Sequence, residues 1–191
     1  HEINSYWAGL GYYSRAKNLH KTAKIISCKY DGFFPTDKNS LIALPGIGEY
    51  TSSAIMAIAF DRKSNVIDGN VERVFSRFYA VEEPIEKSKI FIKRTAEKHL
   101  PNKRHGDYAQ ALMDLGSLIC IPKSPRCLIC PLLTMCDVGG TTRAKQFPIR
   151  LPKRKKEERY GLFFYLRNQD GAILFETNKN RGLLANMDML P

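Results

Sequence analysis

The stretch LPGIGEYTSSAI, residues 44–55, reads as a tight turn that empties into a helix. Pro45, Gly46 and Gly48 punctuate the turn, and Tyr50 then falls in the first turn of the helix. Glycine reaches backbone angles closed to other residues and lets a main chain come close to a partner. The helix behind it presents free N–H groups and the positive end of its dipole, so a phosphate is a natural guest. An ordinary interhelical turn would carry the same pattern, and the neighbouring sequence has to decide between the two.

Outward from this turn, residues 2–138 read as helix after helix. In SRAKNLHKTAKIISCKY the apolar positions Ala16, Leu19, Ala23 and Ile26 recur at spacings of three and four and predict one buried helical face. EYTSSAIMAIAF is apolar along most of its length and predicts a buried helix. NVERVFSRFYAV places Val71, Val74, Phe75 and Phe78 on one side, and KSKIFIKRTAEKHL and YAQALMDLGSLIC continue the pattern. FFPTD, LPGIG, EEPIE and LPNKRHGD supply the breaks. Residues 139–159 hold eight Lys or Arg, two Glu and two Pro, and predict a basic linker. After it, YGLFFYLR and AILFET flank a turn ending in Asp-Gly, a hairpin signal. The hairpin region is too short for an independent β domain. Together with the absence of an initial Met, this leads us to expect a chain cut at both ends.

The 191 residues carry a formal net charge of +11, with a pI near 9.5. That balance favours a polyanionic partner, most often nucleic acid. No run approaches the ~18 apolar residues of a membrane span, so no membrane partner is expected. No signal peptide is visible. For a bacterial source the expectation is a cytoplasmic, nucleoid-associated monomer.

Four of the five cysteines crowd into CIPKSPRCLICPLLTMC, at Cys120, Cys127, Cys130 and Cys136. Two-knuckle zinc sites usually separate their ligand pairs by about twelve residues or more. A compact run of cysteines with a proline directly after one of them fits a [4Fe–4S] cluster better, with zinc as the alternative. Cys28 stands alone on a helix and reads as a small buried hydrophobe. In NVIDGNVERV, Asp68 precedes Gly69, and Asn70 suits a helix cap. Taken alone, Asp68 is a turn or capping residue. Its place twenty residues after Gly48, in a chain expected to bind DNA, makes it a candidate catalytic carboxylate.

These segments together resemble the endonuclease III-like base-excision glycosylases. LPGIGEYTSSAI resembles their helix–hairpin–helix element, DGNVERV their catalytic-aspartate loop, and the C-x6-C-x2-C-x5-C run their [4Fe–4S] loop. WAGLGYYSRAKNLHKTA (residues 7–23), QALMDLGSLIC and the hairpin after the linker are similar to MutY-type adenine DNA glycosylases. The resemblance implies a mainly α fold. Residues 1–104 would form a partial six-helix barrel with the helix–hairpin–helix, and 105–138 an iron–sulfur lobe. Residues 139–159 would form a linker, and 160–191 the start of an α+β Nudix-like domain that helps recognise 8-oxoguanine.

The resemblance also implies removal of adenine mispaired with 8-oxoguanine or guanine in double-stranded DNA. Bifunctional relatives carry, near the start of this helix, a lysine that attacks the sugar. Here no lysine lies between Gly46 and Phe60, and Tyr50 takes that position, which implies a monofunctional enzyme. The target base must leave the stack. Asp68 would stabilise or trap the cationic sugar, with Tyr50 and Asn70 orienting it. Gly46 and Gly48 would grip the phosphate flank. Tyr12 resembles the aromatic that wedges into the duplex, against the plain reading of a core tyrosine, and Arg15 is a phosphate or groove contact.

The family's general-acid glutamate lies well upstream of its tryptophan. Trp7 is the seventh residue here, so that acid is expected outside the chain, and neither Glu49 nor Glu72 takes its place. In RGLLANMDMLP, Asp188 stands where the family has an aromatic. Two other readings stay open: a thymine-glycol type glycosylase/lyase, and a non-catalytic DNA-binding module.

Overall fold

A computed structural model describes residues 2–152, 158, 160–179 and 187–191. Most of the basic run KRKKEER and the stretch RGLLAN lie outside the described residues. The chain divides into two compact units, residues 1–151 and 152–191.

The first unit is helical. Its elements are α1 (Glu2–Tyr6), α2 (Tyr13–Lys29), α3 (Lys38–Ile42), α4 (Glu49–Ala54), α5 (Gly69–Phe78), α6 (Ile85–Lys98) and α7 (His105–Asp114). Two of these helices widen at their C-terminal ends into single π-helical stretches, α4 at Ile55–Ala59 and α7 at Leu115–Ile119. Asp37 starts α3 by accepting from the Ser40 N–H at 2.9 Å, and Asp68 caps α5 in the same way.

α2 and the turn at 44–48 pack around Ile26, Leu41 and Leu44, with Ile47, Ile55 and Met56 against them. Each such buried aliphatic contributes about 1.5–3 kcal/mol. The buried face of α2 differs from the expected one. Ala16 and Ile26 are buried, but Leu19 and Ala23 are exposed, and Thr22 takes the inward position between them. The reason is polar: the Thr22 hydroxyl donates to the Pro45 carbonyl at 2.7 Å, tying α2 to the turn. Cys28 is exposed as well, which corrects its reading as a buried hydrophobe. A second cluster joins α5 and α6 through Val71, Phe75, Ile85, Ile92 and Ala96.

The basic stretch expected as a linker from residue 139 is folded into the first unit up to 151. It forms a 3-10 turn at Thr142–Gln146 and buries Ala144 and Phe147 beside Val138. The Ile85 N–H donates to the Ile149 carbonyl at 2.8 Å, and the Leu151 N–H to the Glu86 carboxylate at 3.2 Å. Arg143, Lys145 and Arg150 are exposed while Ala144 and Phe147 point in.

In the second unit Arg167 and Ile173 form an antiparallel bridge around the Asn168–Gly171 turn, as the hairpin signal predicts. Two short strands, β1 (Glu176–Thr177) and β2 (Asp188–Met189), pair antiparallel, and the Thr177 hydroxyl donates to Asp188 at 2.7 Å. No helix among the described residues is long and apolar enough to cross a membrane.

Candidate active site and cysteine pocket

Asp68 ends the irregular stretch 61–68 and caps α5. One carboxylate oxygen accepts from the Asn70 N–H at 2.9 Å and the Val71 N–H at 2.8 Å, and the other accepts from Asn70 Nδ2 at 3.0 Å. Asp68 is therefore a capping residue and, at the same time, a carboxylate fixed in orientation at a half-buried position. Asn70, expected to cap α5, instead lies in its first turn and bonds to the side chain of Asp68, which is the cap. Tyr50 is exposed, and its hydroxyl lies 3.6 Å from Met113 Sδ rather than on Asp68.

Asn70 is fixed in turn by a residue that the sequence reading missed. Arg73 donates from Nη2 to Asn70 Oδ1 at 2.9 Å and to the Gly116 carbonyl at 2.6 Å, and from Nε to the Cys120 carbonyl at 2.8 Å. Burial draws this guanidinium below its usual value; the Cys120 and Asp68 charges oppose that shift. The π-helical end of α7 brings these groups together. A Cβ on Gly116 would meet the Asn70 Cβ at 2.6 Å, so only glycine lets the two segments approach. One row of contacts thus runs from Asp68 through Asn70 and Arg73 to Cys120. The available signal was the i,i+4 pair Arg73 and Arg77 flanking Val74 on an inward helix face.

The two glycines of the turn differ. Gly46 has φ +78° and a Cβ there would fall 2.7 Å from the Asn18 Cβ, so glycine is required twice over. Gly48 is extended, with φ −98°, and nothing lies within 4 Å of where its Cβ would be. Its glycine answers no internal constraint, which corrects the reading that both need special angles; it leaves open space in front of α4.

Tyr12 is 79% exposed and sits at φ +48°, so the core-tyrosine reading does not hold. The loop beneath it is braced by Trp7, whose indole N–H donates to the Gly11 carbonyl at 2.9 Å. Arg15 is exposed one turn into α2. Glu49 pairs with Lys38 at 2.8 Å and Lys93 at 2.9 Å, and these lysines hold its carboxyl down to about 2. An acid that gives up its proton so readily makes a poor general acid near neutral pH. Glu72 lies 3.6 Å from Lys89.

Cys120, Cys127, Cys130 and Cys136 line one partly open pocket together with Arg77, Ile119, Pro125, Val138 and Ala144. None forms a disulfide. Among the described residues, no three His, Cys, Asp or Glu are gathered closely enough to hold a single metal ion. Four thiols lining one pocket are a donor set that an iron–sulfur cluster or a zinc ion could use. Burial pushes the Cys136 thiol up. An all-cysteine donor set sharing one pocket with a guanidinium is compatible with an iron–sulfur cluster.

The family described as HhH-GPD superfamily base excision DNA repair protein matches residues 1–102. The adenine DNA glycosylase of Buchnera aphidicola subsp. Baizongia pistaciae is 35% identical over 191 residues, covering 99% of this chain and 54% of that protein. The human adenine DNA glycosylase is 38% identical over 150 residues, covering 76% of this chain and 27% of that protein. The chain spans about half the length of the Buchnera relatives it matches. Among solved structures, a thermostable thymine-DNA glycosylase superposes with a TM-score of 0.63 at 29% identity, over 71% of this chain and 64% of that one. A trapped endonuclease III–DNA covalent intermediate superposes at 0.58 and 28%, over 72% and 64%.

Proposed function

The chain belongs to the HhH-GPD superfamily of base excision DNA repair proteins, and from that premise we propose that it is the Asp68-bearing part of a monofunctional adenine DNA glycosylase. The substrate is adenine opposite 8-oxoguanine or guanine in double-stranded DNA, and the protein acts as a monomer. The observation that carries this reading is the Asp68 carboxylate, held on both oxygens by Asn70 and Val71, in a chain without a lysine at the head of α4.

Adenine must be extruded before its glycosidic bond is reachable. As that bond breaks, the sugar gains positive charge, and a preorganised carboxylate stabilises it or forms a covalent ester with it. Asp68 performs this role. Asn70 keeps the carboxylate from rotating, and Arg73 keeps Asn70 from rotating. Tyr50 stands exposed at the head of α4 and faces the sugar with a hydroxyl rather than an amine, so no Schiff base forms. The backbone at Gly46 and Gly48 takes the phosphate flank, Tyr12 enters the stack, and Arg15 contacts the backbone or groove.

Cys120, Cys127, Cys130 and Cys136 would hold a [4Fe–4S] cluster. Held by all four cysteines, such a cluster would supply rigidity to the lobe rather than Lewis acidity. Residues 160–191 open a Nudix-like domain that helps recognise 8-oxoguanine. The test is the pattern of bases that the complete gene product releases from duplexes carrying 8-oxoguanine·adenine, guanine·adenine, thymine·adenine and thymine glycol·adenine pairs. Adenine release from the first two alone is expected. Release of thymine glycol instead would assign the chain to the lyase class.

A further inference from the structure

One buried cation has no part in the catalysis proposed above. Arg77, on α5, is 2% exposed, and all three of its guanidinium nitrogens are used. Nη1 donates to the Cys120 carbonyl at 3.0 Å, to Cys120 Sγ at 3.3 Å and to the Ile121 carbonyl at 2.8 Å. Nη2 donates to the Pro122 carbonyl at 2.7 Å, and Nε to the Phe147 carbonyl at 3.1 Å. Its own carbonyl oxygen lies 3.6 Å from Cys136 Sγ. One residue thus touches the first and last cysteines of the run and also the segment 139–151.

That segment is itself part of the pocket. Gly139 and Ala144 line the cysteine cavity, and Val138, Ala144 and Phe147 pack against Cys127 and Cys136. Arg143 fixes the outer side by pairing with Glu82 at 3.0 Å and lying over the Phe147 ring.

We infer that Arg77 is the positioning residue of the cysteine pocket and that residues 139–151 form its closing wall, so that iron retention and the folding of this wall depend on each other. The inference rests on the [4Fe–4S] reading and adds to it. An N–H donor on a ligand sulfur stabilises the more reduced, more negative cluster, so Arg77 also raises the reduction potential. The occupied pocket in turn holds Cys127 and Cys136 in place against Val138, Ala144 and Phe147.

The test uses anaerobically purified protein, with iron and sulfide as the metal probe. Loss of an outer hydrogen-bond partner commonly costs about 10–100-fold in metal retention. Arg77→Lys keeps the charge but cannot span Cys120 and Phe147 together, so it is expected to release iron to a chelator at least ~10-fold faster. Its cluster is expected to show a lower reduction potential than wild type. Should Arg77→Lys not fold, the wild type supplies the measurement. Trypsin cleavage after Arg143 and Lys145 should be slow in the iron-loaded protein and at least ~10-fold faster once iron is removed, as for an opened segment. Equal cleavage with and without iron overturns the inference, as does an Arg77→Lys variant with wild-type iron release and potential. A wild type that holds no iron overturns the cofactor reading and the inference with it.

Discussion

Replacing Asp68 by asparagine separates the two roles that this residue combines. Asp68 accepts from Asn70 N and Val71 N on one oxygen and from Asn70 Nδ2 on the other. Asparagine keeps one carbonyl oxygen for the two backbone donors, and asparagine and aspartate cap helices about equally well. Its amide nitrogen then faces Asn70 Nδ2, donor against donor, and one hydrogen bond is lost. That costs about 1 kcal/mol, or roughly 2–4 °C in Tm for a chain of this size. The effect on chemistry is larger. Removing one preorganised group from a developing charge commonly costs about 10²–10³ in rate. Asp68→Asn in the complete gene product is therefore expected to slow adenine release at least ~100-fold. Mispair binding should persist, because the lost charge repelled phosphate. The assay is single-turnover adenine release from an 8-oxoguanine·adenine duplex, with binding and Tm measured on the same samples. A rate within a few-fold of wild type, together with the small Tm change, would leave Asp68 as a helix cap alone and refute the reasoning.

Gly46→Ala places a non-glycine residue at φ +78° against Asn18 and should destabilise by about 2–4 kcal/mol; Gly48→Ala, with open space around it, should cost less than about 1 kcal/mol yet weaken DNA binding if its backbone meets a phosphate. Urea denaturation and duplex binding of the two variants separate these effects, and equal stabilities would contradict the assignment. Glu49 has its carboxyl held near 2 by Lys38 and Lys93, below its ordinary 4.5, so its contribution is complete above about 4.5 and is lost as pH falls through about 2. Because the pairs are more than half exposed on the glutamate side, Glu49→Gln should cost only about 0.5–1 kcal/mol at neutral pH, a gap that closes between pH 4.5 and 2 in urea titrations. A gap that instead widened in acid would have the wrong sign. DNA affinity should fall steeply with salt, and deletion of residues 150–159 should flatten the slope if the basic run touches phosphate; an unchanged slope makes it a tether.

The helices were legible because their apolar spacing is local, and the Asp68 cap because its partners lie within three residues of it. What was not legible depended on distant contacts. Leu19 and Ala23 share a helical stripe with Ala16 and Ile26, but Thr22 bonds to Pro45, 23 residues away, and turns that face of the helix toward the turn at 44–48. Nothing local marks Arg73 and Arg77 as buried, because the Cys120 carbonyl that both of them meet lies 47 and 43 residues on. The π-helical ends of α4 and α7 have no signature in apolar spacing, yet one of them delivers Gly116 to Asn70. Residues 139–151 were masked by their lysines and arginines, because Ala144 and Phe147 are too few to register as a pattern. The spacing of the four cysteines points to a metal site, and in the fold all four line one pocket.

The central claim is that adenine is cut out by a carboxylate-assisted route with no amine attack on the sugar. The most direct measurement incubates the complete gene product with an 8-oxoguanine·adenine duplex in the presence of borohydride. Free adenine, an intact strand bearing one abasic site and no reduced protein–DNA adduct is the predicted outcome. A borohydride-fixed covalent adduct, or a duplex that keeps its adenine, would contradict it.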